Sequence, residues 1–117
     1  MVDDSNAVRH IAQRALSKAG YTVLSVEGGP TAMRRQAEYL GKIDLLLTDV
    51  IMPEMTGPEL AARIREQRPE IRTLYSPGYA EDSAVLRGNT SHEVAFLEKP
   101  FSAEQLLRGV RSILTTT

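Results

Sequence analysis

From Ala7 onward, apolar residues recur at three- and four-residue spacing, at Ala7, Val8, Ile11, Ala12, Ala15, Leu16 and Ala19, and the pattern stops at Gly20. That stripe predicts an amphipathic helix with one face on a core. Tyr21 to Val26 is β-branched and aromatic, as strands are, and Gly28, Gly29 and Pro30 then break the chain. A second helical stripe follows at Ala32, Met33, Gln36, Ala37 and Leu40. Ile43 to Thr48 is almost continuously apolar apart from Asp44, which suits a strand covered on both faces. Thr56 and Glu59 have the spacing of a capping box, Leu60, Ala61 and Ile64 give the third helix its buried side, and Pro69 ends it. Ile71 to Tyr75 predicts a fourth strand, interrupted by Pro77 and Gly78. Ala80 to Leu86 reads as a short helix, followed by a polar loop through Gly88, Asn89, Thr90 and Ser91. Val94 to Leu97 is the fifth strand. Ser102 and Gln105 form a second capping box before a stripe at Leu106, Leu107, Val110, Ile113 and Leu114, and Thr115 to Thr117 is a fraying tail.

Regular alternation of strand and helix requires right-handed crossovers and a parallel sheet with helices on both faces, an α/β class. With no repeat and no linker, 117 residues make one domain, residues 1–117. Fourteen basic and fifteen acidic residues leave a net charge of −1, so no basic field draws nucleic acid or an anionic membrane. The absence of cysteine excludes disulfides and thiol catalysis. No apolar stretch is long enough to cross a bilayer, and Asp3, Asp4, Arg9 and Arg14 stand where a signal peptide needs an apolar block. A cytoplasmic location without membrane insertion is expected.

Ligands of open parallel sheets sit at the carboxyl ends of the strands. Those ends carry Asp3, Asp4, Asp49, the Ser76-Pro77-Gly78 turn and Lys99. Two like charges about 5 Å apart repel by roughly 3 kcal/mol at an effective dielectric of about 20, so grouped carboxylates call for a cation or a proton. Hard oxygen donors in an open cleft suit Mg2+ or Mn2+. Zinc is disfavoured, because His10 and His92 have no partner at ligand spacing. Beside a divalent cation and Lys99, the Asp49 carboxylate is placed to attack a phosphoryl donor and form an acyl phosphate. Taken singly, Asp3-Asp4 reads as a helix cap and Lys99-Pro100 as a loop; together at strand ends they indicate one site.

These residues resemble a response-regulator receiver domain of two-component signalling over essentially the whole chain. The acidic pair Asp3-Asp4, Asp49 in TDVIMPEMTG and Lys99 in FLEKPF match that family's motifs, at its usual intervals. The resemblance implies a flavodoxin-like α/β/α sandwich with a five-stranded parallel sheet of order 2-1-3-4-5. It implies that Asp49 is the phosphoacceptor and that Asp4, Asp49 and the Ile51 carbonyl ligate Mg2+ directly, with Asp3 helping through water. Lys99, followed by a cis bond to Pro100, and the Gly78 N–H would contact the phosphoryl group. Phe96 takes the switch-aromatic position, with a plain core phenylalanine as the alternative. The implied partners are a histidine kinase or phosphotransfer domain and a downstream effector or output domain. LYxxGY and FLxKPF further suggest attachment to a hybrid sensor kinase.

Two positions depart from the family pattern. Pro77 stands where the family ends its fourth strand with Ser or Thr, so the site lacks that hydroxyl unless Ser76 replaces it through a shifted turn. Only Met1 and Val2 precede the acidic pair, so a shortened first strand is expected, with ladder hydrogen bonds lost and apolar neighbours uncovered. Three functions compete: a phosphoacceptor that is not an enzyme beyond its own phosphorylation and dephosphorylation, a degenerate receiver acting as a binding module, and an aspartyl phosphatase. The last would carry a second Asp two residues after the first, where this chain has Ile51. A flavin site is disfavoured by the lack of a Ser/Thr-rich loop after the first strand and of any Trp.

Overall fold

Two apolar runs pair to make the centre of the sheet, and everything else is placed relative to them. The computed structural model describes residues 1–77 and 95–115. In chain order its elements are α1 (Asn6–Lys18), α2 (Gly29–Glu38), β1 (Leu45–Asp49), α3 (Gly57–Gln67), β2 (Arg72–Ser76) and α4 (Ala103–Thr115). β1 and β2 pair in parallel, from Leu45 opposite Arg72 to Asp49 opposite Ser76. Three further extended segments join through single parallel bridges: Val2 to both Val26 and Thr48, and Phe96 to Tyr75. Across the sheet the order is therefore Val26, Val2, β1, β2, Phe96, the expected 2-1-3-4-5.

The segment around Val26 and the segment at Val2 are shorter than ladder-forming strands for one shared reason. Only Met1, Val2 and Asp3 run between Val26 and β1, so backbone bonds there are few: Val2 N–H to Leu47 O at 2.8 Å, Asp49 N–H to Val2 O at 2.8 Å, and Val26 N–H to Met1 O at 2.9 Å. Among the described residues Tyr21 to Ser25 is not a regular strand, though Leu24 O accepts from the Met1 amino group at 2.9 Å. On the far side, Tyr75 N–H donates to Ala95 O and Leu97 N–H to Tyr75 O. The short helix expected at Ala80 to Leu86, the polar loop, Val94 and His92 lie outside the described residues.

Side chains alternate along β1, and this explains its continuous apolar character. Leu46 joins a cluster with Val2, Val26, Ala32, Leu60 and Ile64 beneath α2 and α3. Leu47 joins the opposite cluster, with Ala12, Leu16, Leu74, Leu106 and Val110 beneath α1 and α4. Five positions of the predicted stripes are corrected: Ala7, Ala19 and Ala37 are exposed, Ile11 is 49% exposed, and Leu40 is fully exposed because α2 ends at Glu38, capped by Tyr39. The capping predictions hold. Thr56 Oγ1 accepts from Glu59 N at 3.2 Å, while Ser102 and Gln105 exchange bonds of 2.8 and 3.1 Å. Gly20, at φ 98°, terminates α1, since only glycine takes a left-handed conformation there without strain.

Candidate functional site

β1 delivers Asp49 to the carboxyl edge of the sheet, directly opposite Ser76 on β2. Because Asp49 N–H bonds to Val2 O, the residue following Val2 emerges beside it. That residue is Asp3, wholly buried. Its Oδ1 accepts the Ser5 N–H at 2.9 Å, and Arg9 Nη1 donates to its carbonyl at 2.6 Å, so the start of α1 holds the carboxylate in place. Lys99 reaches the same point from the other side of the sheet. Its N–H donates to Pro77 O at 2.8 Å, its bond to Pro100 is cis, and its Nζ lies 3.1 Å from Asp3 Oδ2 and 3.2 Å from Asp49 Oδ1. Asp4 is exposed at the rim, and one carboxylate oxygen from each of Asp3, Asp4 and Asp49 falls within 4.8 Å of the others.

Three carboxylates facing one ammonium leave the cluster short of positive charge. Burial and the Asp3 carboxylate push Asp49 above the usual carboxylate range, against the Lys99 ammonium and the Val50 N–H, which favour its ionised form. Burial alone would pull Lys99 down, but Asp3 and Asp49 more than offset it and hold the ammonium above its ordinary value. The donor set is therefore all oxygen, compact and electron-rich, which fits a divalent cation of the magnesium type. Asp49 Oδ1 already receives the Val50 N–H at 2.8 Å and the Lys99 ammonium, whereas Oδ2 has no hydrogen-bond partner among the described residues.

Ile51 is half-exposed in the loop after β1, and its carbonyl accepts no hydrogen bond among the described residues. Gly57 closes that loop by donating its N–H to Val50 O at 2.6 Å, and a Cβ there would collide with the Asp49 carbonyl oxygen. Pro77 is buried, with its carbonyl committed to Lys99; Gly78 lies outside the described residues. Ser76 Oγ lies 3.5 Å from Thr48 O within the sheet, so the hydroxyl engages backbone instead of the carboxylates. Phe96 is 54% exposed beside the site-bearing segment and is not a core residue. Sequence reading did not single out Ser5, Arg9 and Gly57 as supports. Ser5 alone carried a usable signal, as an N-cap residue immediately after the acidic pair.

The sequence model of the response regulator receiver domain matches residues 1–111. The chain belongs to that family. It is 39% identical over 114 residues to sensor kinase CckA of Brucella abortus (strain 2308), covering 97% of this chain but 12% of that protein. It is 33% identical to the response regulator receiver protein CpdR of the same organism, covering 97% of this chain and 93% of CpdR. A crystal structure of a response regulator receiver protein from Sinorhizobium medicae WSM419 superposes with a TM-score of 0.84 at 27% identity, covering 98% of this chain and 91% of that one. The fold is the flavodoxin-like one of these receivers. Among the described residues, no helix is long and apolar enough to cross a membrane.

Proposed function

We propose that the chain is a phosphoacceptor in a two-component relay, taking a phosphoryl group from the phosphohistidine of a kinase or phosphotransfer domain onto Asp49. The observation that carries this reading is the meeting of Asp3, Asp4 and Asp49 with Lys99, from opposite ends of the chain, at one rim of the sheet. Asp49 Oδ2 forms the new P–O bond as the P–N bond of the donor breaks, giving an acyl phosphate without net uptake of water. Lys99 is already paired with Oδ1, so its ammonium stands beside the incoming phosphoryl oxygens and offsets their charge. Asp4 and Asp49, with the Ile51 carbonyl, would hold Mg2+ or Mn2+ directly, and Asp3 through water. The bound cation would supply charge neutralisation of the transferred group.

Incubation with Mg2+ and acetyl phosphate, followed by intact mass measurement, should add one phosphoryl group, and Asp49→Asn should abolish it. An unmodified wild-type chain would overturn the proposal. Pro77 favours a second reading, a receiver that docks its partner without a phosphorylation switch, because the position offers neither hydroxyl nor N–H. Equal partner affinity with and without beryllofluoride would establish that reading, and a large difference would remove it. The downstream partner is an effector or output domain, and attachment to a hybrid kinase is supported by the similarity to CckA.

A further inference from the structure

Thr48 is a polar residue in a strand that is otherwise apolar up to Asp49, and it is wholly buried. Burial takes a hydroxyl away from water, so it needs a partner inside the protein. Thr48 Oγ1 donates to the carbonyl oxygen of Asp49 at 3.0 Å. Among the described residues, no backbone N–H of the surrounding loops donates to that carbonyl. A peptide group is planar, and in the trans form its C=O and N–H point in opposite directions. The Asp49–Val50 bond is trans, so fixing the carbonyl oxygen fixes the direction of the Val50 N–H. That N–H donates back to Asp49 Oδ1 at 2.8 Å. One peptide plane is therefore held at both ends, by the Thr48 hydroxyl and by the Asp49 carboxylate. Gly57 leaves room for it, since a Cβ there would collide with the Asp49 carbonyl oxygen and press on Thr48 Cγ2 at 3.2 Å.

We propose that Thr48 is a positioning residue for phosphoryl transfer: through the Asp49–Val50 peptide it holds the Val50 N–H on Oδ1 and so leaves Oδ2 as the attacking oxygen. This rests on the phosphoacceptor reading of Asp49. A carboxylate free to turn about its Cβ–Cγ bond presents either oxygen, and the approach geometry is lost with each turn. With the Val50 N–H and the Lys99 ammonium both on Oδ1, one orientation keeps both bonds. Lys99 alone does not impose it, because its flexible stem lets the ammonium follow either oxygen and Asp3 shares it at 3.1 Å. The backbone donor is the rigid one, and the Thr48 hydroxyl makes it so.

The test compares 15N-labelled wild type with Thr48→Val and Thr48→Ala, which lose the hydroxyl with and without the side-chain bulk, and with Thr48→Ser, which keeps it. Hydrogen exchange, measured with no phosphoryl donor, should speed up at least about tenfold more at the Val50 amide than at the buried Leu74 amide in the Val and Ala variants. Thr48→Ser should stay near wild type. With acetyl phosphate and saturating Mg2+, the Val and Ala variants should be modified about tenfold more slowly, and Thr48→Ser within about threefold of wild type. The role of Thr48 is overturned if either variant lacking the hydroxyl is modified at the wild-type rate, or if Thr48→Ser is slowed as much as they are. It is equally overturned if exchange at Val50 rises no more than at Leu74, which would make the hydroxyl a support of the fold alone. A wild-type chain that stays unmodified overturns the phosphoacceptor reading and this role together, a result seen without any variant.

Discussion

At Asp49, burial and the Asp3 carboxylate act against ionisation while the Lys99 ammonium acts for it, and the first pair prevails. The folded chain then holds the Asp49 proton more tightly than the unfolded chain does. Stability from this group is present below the ordinary carboxylate range and falls as pH rises through the raised value. Asp49→Asn removes that fall, so at pH 7 without metal it should melt a few degrees above wild type, and at pH 3 the gap should close. Asp4→Asn should gain less, because Asp4 is exposed and screened. Mg2+ should reverse the order by stabilising wild type and not Asp49→Asn. Scanning calorimetry at the two pH values, with and without metal, reads all three outcomes. Lys99→Met acts oppositely: it leaves wholly buried Asp3 without its ammonium and should cost about 3 kcal/mol in urea unfolding at pH 7. Gly57→Ala drives a methyl into the Asp49 carbonyl and should cost about 1–3 kcal/mol while slowing phosphorylation by acetyl phosphate.

Among the elements, one cation ties the end of α3 to the end of α2, beside the Gln36–Gln67 bond. The Arg68 guanidinium, just past α3, donates to Gln36 Oε1 at 3.0 Å, Gln36 O at 2.7 Å, Tyr39 O at 2.8 Å and Gly41 O at 2.9 Å, satisfying carbonyls at the end of α2. Gln36, a polar residue in an apolar stripe, is buried because Arg68 and Gln67 meet its amide. A lysine has no planar fork for four acceptors, so Arg68→Lys should lower unfolding free energy by about 2 kcal/mol, measured by urea titration. Nothing local in the sequence announced Arg68, whose acceptors belong to a separate helix. The helices themselves were legible, because a 3.6-residue stripe and a side-chain cap are local signals. So was Asp49, since an apolar run ending in one carboxylate is conspicuous. The outer strands were legible only as composition; their ladders depend on the length of a neighbour, and Met1 and Val2 provide too little of one. The meeting of Lys99 with Asp3, 96 residues apart, follows from strand order, which puts both at carboxyl ends of strands, and the family resemblance added the role of the lysine.

For the whole molecule, the two clusters meet at a cavity of about 390 Å³ lined by Met1, Leu16, Ala32, Ile64 and Val110, and pH reports on its edge. The unfolded amino group takes its proton near 8.0, while the buried one does so at about 5. Between those values the unfolded chain binds more protons, so stability rises with pH: the contribution is fully present above 8 and is lost as pH falls to 5. Three pH units correspond to roughly 4 kcal/mol. Nα-acetylation abolishes this titration and keeps one N–H for Leu24 O. The free-energy difference between acetylated and free chains, from urea unfolding at pH 5, 6, 7 and 8, should therefore grow in favour of the acetylated chain by about that amount as pH falls. Asp49 changes stability in the opposite sense, but it is common to both chains and cancels in the difference. Parallel curves would mean that the amino group is hydrated in the folded state.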